Sequence, residues 1–284
     1  MIPSQFDYVA PESVEQALAA IAEAGDEGKV LAGGQSLLPI LRLRMNSPET
    51  VIDLGRIADL REVSEEGDTL VVGAMATHHD VMRHPLVGEH AALLARALEE
   101  VADPQVRHRG TVGGALVHAD PAGDVGTAVL ALDAELVVAG PNGSRTVAAE
   151  DFFVDLFQTA VGEDELLTHI RIPKHTGWGA HYEKFIRVAQ QWSIVAVAAT
   201  VKVEGGAIAD ARVGLTNMGS TPLRAKGVER ALVGQSPSAD VVGQAAAAAA
   251  EGTEPPSDLN GAADYRKHLA GVLTRRAVLA AVEG

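Results

Sequence analysis

Ala32-Gly33-Gly34-Gln35-Ser36 and Thr111-Val112-Gly113-Gly114-Ala115 each set a pair of glycines directly after an apolar stretch. Glycine tolerates φ > 0 and leaves the main chain bare, so consecutive N–H groups can converge on an anion. One such pair is an ordinary turn; two in one chain suggest a diphosphate gripped from both sides. Neither segment reads G-x-G-x-x-G, and no Gly-Lys-Ser/Thr follows either. A Rossmann turn and an ATPase-type phosphate loop are therefore disfavoured. What remains is backbone donation to phosphate oxygens, with the Ser36 and Thr111 hydroxyls as further donors.

The composition narrows the partners. The 284 residues suffice for two or three small domains with real cores. A net charge of −15 speaks against nucleic acid or an anionic membrane as the binding surface. With no cysteine, the chain itself can hold no disulfide, thiolate metal site or cysteine-ligated iron–sulfur cluster. The N-terminus lacks the basic and apolar regions of a secretory signal, and the longest apolar run, 194–201, is too short to span a bilayer. A soluble, cytoplasmic protein is the expectation.

Along the chain, Ser13 with Gln16 forms a capping box for a helix with Val14, Leu18, Ile21 and Ala22 on one face. A strand over 29–32, a helix over 37–44 and a strand over 50–53 complete a first unit, 1–56. The second unit, 57–175, reads as a strand at 69–73, a short helix capped by Thr77 and a longer helix over 89–101. A loop-rich stretch over 102–123 carries the second glycine pair. A helix from Asp124, a hairpin over 135–148 and a strand over 166–172 close the unit. The third, 176–284, reads as three antiparallel strands (180–187, 194–204, 208–217). Helices over 223–232, towards the alanine run 245–250 and over 262–282 follow them. Without a clean βαβ rhythm, the class is α+β.

Asp124 either caps its helix, worth about 1 kcal/mol, or accepts from a ligand hydroxyl. The ten histidines show no metal-ligand spacing and read as loop or solvated residues. Arg42 and Arg44 read as a solvated helix face near the first loop. Trp192 is either a core aromatic or a platform against a planar ring. No nucleophile elbow or catalytic triad is present, so no catalytic residue and no metal ligand is expected.

Taken together, A-G-G-x-S at 32, T-V-G-G at 111, D-P-x-x-D at 120–124, L-L-T-x-I-R-I-P at 166–173 and Y-E-K at 182–184 resemble the FAD-binding medium subunit of the molybdenum hydroxylases. Within that family the chain resembles the medium subunit of aerobic carbon monoxide dehydrogenase. Residues 1–8, Ala102-Asp103-Pro104-Gln105-Val106-Arg107, Gly214-Leu215-Thr216-Asn217 and Ala263-Asp264-Tyr265-Arg266 strengthen the match. The resemblance implies two small α/β FAD-binding subdomains followed by a three-stranded antiparallel sheet with a C-terminal helical bundle. It implies that Val30, Leu31, Ala32, Gly33, Gly34, Gln35, Ser36 and Leu37, with Thr111, Val112, Gly113, Gly114 and Ala115, clamp the pyrophosphate and adjoining sugars. By the same match Asp124 binds a cofactor hydroxyl, Leu167 and Lys184 line the flavin side, Trp192 covers the isoalloxazine, and Val101 belongs to the site.

The resemblance further implies a large molybdenum-cofactor subunit and a small subunit with [2Fe–2S] clusters, assembled as a dimer of heterotrimers. This chain would carry electrons from those clusters to an external acceptor. Three positions depart from the family: Ala115 stands where Asn is common, Gln190-Gln191-Trp192 where Gly-Asp-Tyr/Phe is familiar, and Gln35 where the carbon monoxide enzyme would have His. A freestanding flavin oxidoreductase and a structural subunit that has lost its cofactor are the alternatives, Ala115 and Gln191 favouring the second.

Overall fold

The computed structural model describes residues 2–284. The first unit runs β1 (Asp7–Val9), α1 (Val14–Ala24), β2 (Gly28–Leu31), α2 (Leu37–Arg42) and β3 (Thr50–Asp53), with strand order β1-β3-β2, all parallel. Ser13 Oγ accepts the Gln16 N–H at 3.2 Å, while Gln16 Oε1 reaches back to the Glu12 N–H at 3.0 Å rather than to that of Ser13. Helix α1 buries Ala17 and Ile21, and Ala17 joins a small core with Leu54, Ile57, Leu60, Met75 and Leu166. The sequence did not announce β1, whose three residues are all exposed and show no alternation.

The second unit continues with β4 (Val63–Glu66), β5 (Thr69–Gly73), α3 (His78–Arg83), α4 (Pro85–His90), α5 (Ala92–Glu99), α6 (Pro104–Arg107), α7 (Val112–His118) and α8 (Asp124–Ala131). It ends with β6 (Glu135–Gly140), β7 (Gly143–Ala148), α9 (Ala149–Phe152), β8 (Phe153–Asp155), β9 (Gln158–Thr159) and β10 (Leu166–Pro173). An antiparallel sheet of order β4-β5-β10-β6-β7 sends Leu70, Val72, Leu136, Val138, Ile170 and Ile172 into the main core. Three expectations need correction. The single helix over 89–101 is two helices, because Ala91 (φ −144°, ψ 47°) breaks the chain and lets α5 turn Leu93, Leu94, Ala97 and Leu98 inward. The second glycine pair lies not in a loop but in the first turn of α7, capped by the Thr111 hydroxyl. Asp124 does not cap α8; Gly123 holds that position and Asp124 turns its carboxylate into the protein.

The third unit is β11 (Gly179–Phe185), β12 (Val195–Glu204), β13 (Ala207–Thr216), β14 (Leu223–Arg224), α10 (Lys226–Leu232), α11 (Ala239–Ala246) and α12 (Ala263–Glu283). The antiparallel sheet keeps the expected three long strands, and β14 adds a two-residue edge where a helix start was expected. Strand β12 is buried on both faces. Val195, Val197, Ala199 and Val201 face the core shared with α10, α11 and α12, while Ala196 and Ala198 face the main core that holds α5 and α8. Helices α5 and α8 thus lie between the second sheet and the third.

Small residues make room for that layer. Ala198 pairs with Gly214, and a Cβ on Gly214 would stand 2.7 Å from Thr127 Cγ2 and 2.9 Å from the Thr127 carbonyl oxygen of α8. Gly214→Ala should therefore cost about 1–3 kcal/mol by overpacking, read as a lower midpoint in thermal unfolding. An unchanged midpoint would mean that α8 is not seated so closely.

Candidate functional site

The two glycine segments meet. A Cβ on Gly33 would stand 2.2 Å from the Arg109 carbonyl oxygen and 2.7 Å from Gly110 Cα, and one on Gly114 would stand 3.2 Å from Ala32 Cβ. Only a residue without a side chain fits at Gly33. Gly34 serves a different need, with φ +75°, which L side chains rarely adopt. Val30 and Ala32 pack on the small core, and Leu31 and Leu38 close around Gly34. The first segment, from strand β2 to helix α2, is therefore pressed onto the backbone that leads into the second.

The amides of the two segments are not equivalent. Those of Val112, Gly113, Gly114 and Ala115 already have acceptors: Ala76 O (3.0 Å), Ala74 O (2.9 Å), Thr111 Oγ1 (3.1 Å) and Thr111 O (3.0 Å). Those of Gly33, Gly34, Gln35 and Ser36 have no acceptor among the described residues. Of the two segments expected to donate, only the first therefore has amides without an acceptor. The second segment, whose two glycines stand between the side chains of Thr111, Val112 and Ala115, is held by the carbonyls of Ala74 and Ala76 and by Thr111 itself. Gln35 is exposed and donates to the Gly33 carbonyl at 3.3 Å. Four consecutive amides without an acceptor, beside the paired glycines of the first turn of α7, suit a pyrophosphate bridge.

A second cluster forms around Asp124. Lys184 Nζ lies 2.8 Å from Asp124 Oδ2, with the two side chains only 3% and 4% exposed, and it also donates to the Glu100 carbonyl at 2.8 Å. Asp124 Oδ1 accepts from the Tyr182 hydroxyl at 2.8 Å and from the Ser193 hydroxyl at 2.8 Å. Tyr182 and Lys184 are two apart on β11, so they share one face, and they stand opposite Ala198 and Ala196. Burial pushes the Asp124 carboxyl up, against the pull of the Lys184 ammonium and the Tyr182 and Ser193 hydroxyls. Burial together with the Asp124 charge lifts the Tyr182 phenol well above its ordinary range. Tyr182 and Ser193 were not singled out from the sequence, although the i, i+2 spacing of Tyr182 and Lys184 pointed to the first.

The remaining expected residues fall around these two centres. Val101 follows the carbonyl that Lys184 grips and is half-buried against the main core. Leu167 is buried in that core beside a register shift in β10, where Thr168 O accepts the Ala74 N–H at 2.8 Å. Ala74 thereby links β10 to the first turn of α7. Trp192 is 54% exposed, with an edge carbon 3.9 Å from where a Gly123 Cβ would be. Arg44 donates to the Ile2 carbonyl at 3.4 Å, away from the glycine segments' donors. The histidines are less uniform than expected: His78, His90 and His175 are buried, and His79 stacks on His108 at 3.8 Å. Among the described residues no group of three or more His, Asp or Glu could hold a metal ion.

His78 sits beneath the second segment. Its N–H donates to the Gly110 carbonyl at 2.9 Å, and its buried Nδ1 has no partner among the described residues. Burial, reinforced by Arg107, pushes its pKa down to about 4.

Comparison with known proteins accords with this geometry. Residues 4–175 match the family described as the FAD binding domain in molybdopterin dehydrogenase, and residues 180–281 match the CO dehydrogenase flavoprotein C-terminal domain. The carbon monoxide dehydrogenase medium chain of Hydrogenophaga pseudoflava is 42% identical over 284 residues, covering 99% of this chain and 98% of the relative. The glyceraldehyde dehydrogenase medium chain of Sulfolobus acidocaldarius is 35% identical, covering 98% of each. A solved carbon monoxide dehydrogenase from Hydrogenophaga pseudoflava that lacks the Mo-pyranopterin moiety of its cofactor superposes with a TM-score of 0.96 at 43% identity, covering 100% of this chain and 99% of that one. The chain belongs to the FAD-binding medium subunits of the molybdenum hydroxylases, and so it is a flavoprotein component of an oxidoreductase. No helix among the described residues is long and apolar enough to cross a membrane.

Two outcomes follow from the buried charges. Lys184→Met leaves the Asp124 carboxylate buried without its cation and should cost about 3–5 kcal/mol in denaturant unfolding; Asp124→Asn added to it should recover part of that loss. For His78, an unfolded chain takes up a proton as pH falls below 6.5, whereas the folded chain refuses it until about pH 4. Acid therefore favours the unfolded state through that window, and stability falls by about 3 kcal/mol from pH 6.5 to 4. Thermal unfolding across this range should show a shallower loss for His78→Leu than for the natural chain.

Proposed function

We propose that this chain is the electron-relay subunit of a carbon monoxide dehydrogenase-like complex. In that complex it would sit with a large molybdenum-cofactor subunit and a small iron–sulfur subunit, as a dimer of heterotrimers in the cytoplasm. The full-length likeness to medium chains and the absence of any cysteine support this division of labour, because cluster ligands must then come from another chain. FAD, when bound, supplies a carrier that takes electrons singly and hands them on in pairs to an external acceptor. The chain's own residues bind and orient; none is needed as nucleophile or general acid.

The Gly33–Ser36 amides would hold the pyrophosphate while Gly113 and Gly114, within the segment Thr111–Ala115, keep side chains out of its way. Val30, Leu31 and Leu37 flank that cradle. Asp124, Lys184, Leu167 and Val101 form the ordered floor beyond it, and Trp192 supplies an aromatic face that excludes water from the ring. Ala115 costs the second segment only a side-chain hydrogen bond, since the donor row lies in the other segment. The units 1–56, 57–175 and 176–284 would respectively supply the donors, the second glycine segment with Asp124, and the face carrying Lys184 and Trp192.

The observation that carries this reading is Gly33, whose missing Cβ allows free donors to sit against the second segment. Gly33→Val should purify with less than about one-tenth of the flavin per chain of the natural protein, measured by absorbance after denaturation. Circular dichroism should show the same secondary structure. Full flavin in that variant would falsify the cradle.

A further inference from the structure

The loop that presents Trp192, residues 186–194, is held in a closed frame by the segment before α12. At one end, Asn260 Oδ1 accepts from Arg187 Nη2 at 2.7 Å and from Gln191 Nε2 at 3.0 Å. Arginine is a donor only, so Asn260 must present its oxygen there. Gln191 then uses its other atom, Oε1, to accept the Arg187 N–H at 3.0 Å and that of Val188 at 3.4 Å, which closes the turn on itself. Gln190 takes φ +66° to make that turn.

At the other end, the fully buried Arg266 donates to the Ile194 carbonyl and, at 2.8 Å, to Asp258 Oδ1. Asp258 in turn fixes the turn that carries Asn260, accepting the Asn260 N–H at 2.7 Å and that of Gly261 at 3.1 Å. Ser193, next to the tryptophan, is tied to Asp124 by its hydroxyl and to Asn217 Nδ2 by its carbonyl, both at 2.8 Å. Both sequence neighbours of Trp192 are fastened, yet the indole itself is 54% exposed. Exposed loops ordinarily move, and here the chain spends a buried arginine and two side-chain amides on one loop that carries a single exposed aromatic.

We propose that Asn260 is a positioning residue, which through Gln191 and Arg187 holds Trp192 in one pose over the cofactor cleft; this rests on Trp192 being the face that covers the flavin. The same geometry says why an amide rather than a carboxylate suits position 191. The position must both accept from two backbone amides and donate to Asn260, and a carboxylate cannot donate. The frame also makes a discriminating prediction. Asn260→Asp keeps an oxygen for both donors, whereas Asn260→Ala removes it.

The full-length chain carrying Trp178→Phe leaves Trp192 as its one tryptophan, and its emission can be followed with and without saturating FAD. Without FAD, Asn260→Ala should lower the Trp192 anisotropy by roughly a third, as loop motion reaches the nanosecond range. Asn260→Asp should keep the parent value, and Gln191→Glu should fall with the alanine variant. With FAD, flavin titration should show binding roughly fivefold weaker in Asn260→Ala, with Trp192 quenched less than in the parent. Equal anisotropy in parent and Asn260→Ala, or loss in Asn260→Asp as large as in Asn260→Ala, would overturn the positioning role. If saturating FAD leaves Trp192 emission unchanged in the parent, the covering role falls, and the proposal of a pose over the cleft falls with it. In that case the anisotropy series still shows whether Asn260 fastens the loop.

Discussion

A carboxylate and an ammonium buried 2.8 Å apart set the terms for the rest of the molecule. Removing both charges from water costs several kcal/mol for each ion, and the geometry must offset it. Here it does so with hydroxyls from Tyr182 and Ser193 on one carboxylate oxygen and a backbone carbonyl on the ammonium. Each partner comes from a different place: Asp124 starts α8, Tyr182 and Lys184 lie on β11, Ser193 precedes β12, and Glu100 follows α5. The pair can therefore form only when the helix layer of the second unit is seated on the sheet of the third. Ala196, Ala198 and Gly214 are the steric counterpart, because larger residues there would push α8 off the sheet. An apolar pair could fill the same space with less desolvation, so this arrangement makes more sense as placement than as net stabilisation.

The glycine pairs look alike in sequence and do different work. Gly33 is bare because backbone lies 2.2 Å from where its Cβ would be, and Gly34 because its φ is +75°. Gly113 is bare because Ala74 presses on it, with the Ala74 carbonyl oxygen 2.6 Å from its Cβ position. One pair leaves its amides open before α2 begins, and the other, in the first turn of α7, has every amide engaged. The difference lies in Thr111 and the turn Ala74–Thr77, which take up the donors of α7. Nothing near α2 does the same: Ser36 makes no capping bond, and its φ, ψ are already helical.

Much of the architecture was legible where local pattern and burial coincide. The hairpin 135–148, strands β5, β10, β12 and β13, the Ser13 and Thr77 caps and the long last helix all stand close to where apolar spacing and turn residues put them. Strands β1 and β14 escaped because they are short edges whose pairing is decided by their neighbours. The Ala91 break escaped because alanine carries no breaking signal; tertiary packing of α5 imposes it. Asp124 was legible as important and illegible in role. A cap and a buried ion pair ask for the same residue at the same place, and only the distant Lys184 and Tyr182 decide between them. The inequality of the glycine segments was likewise hidden, since two of the acceptors that close the second, the Ala74 and Ala76 carbonyls, lie well over thirty residues upstream.

The distribution of order around the candidate cleft fits what a redox cofactor needs from a chain without cysteine. Thiol–disulfide exchange and cysteine-ligated clusters are closed to this chain, and the reversible redox chemistry is that of the bound flavin. Holding such a group rigidly limits the solvent rearrangement that accompanies each change of charge, and preorganised donors do this more cheaply than mobile ones. The molecule shows that pattern: a donor row on a short, clamped segment, a floor of saturated hydrogen bonds, and an indole whose flanking residues are pinned. In the proposed reading, that order lies where charge would change. Rigidity at Trp192 is thus best understood as belonging to the cleft rather than to the loop.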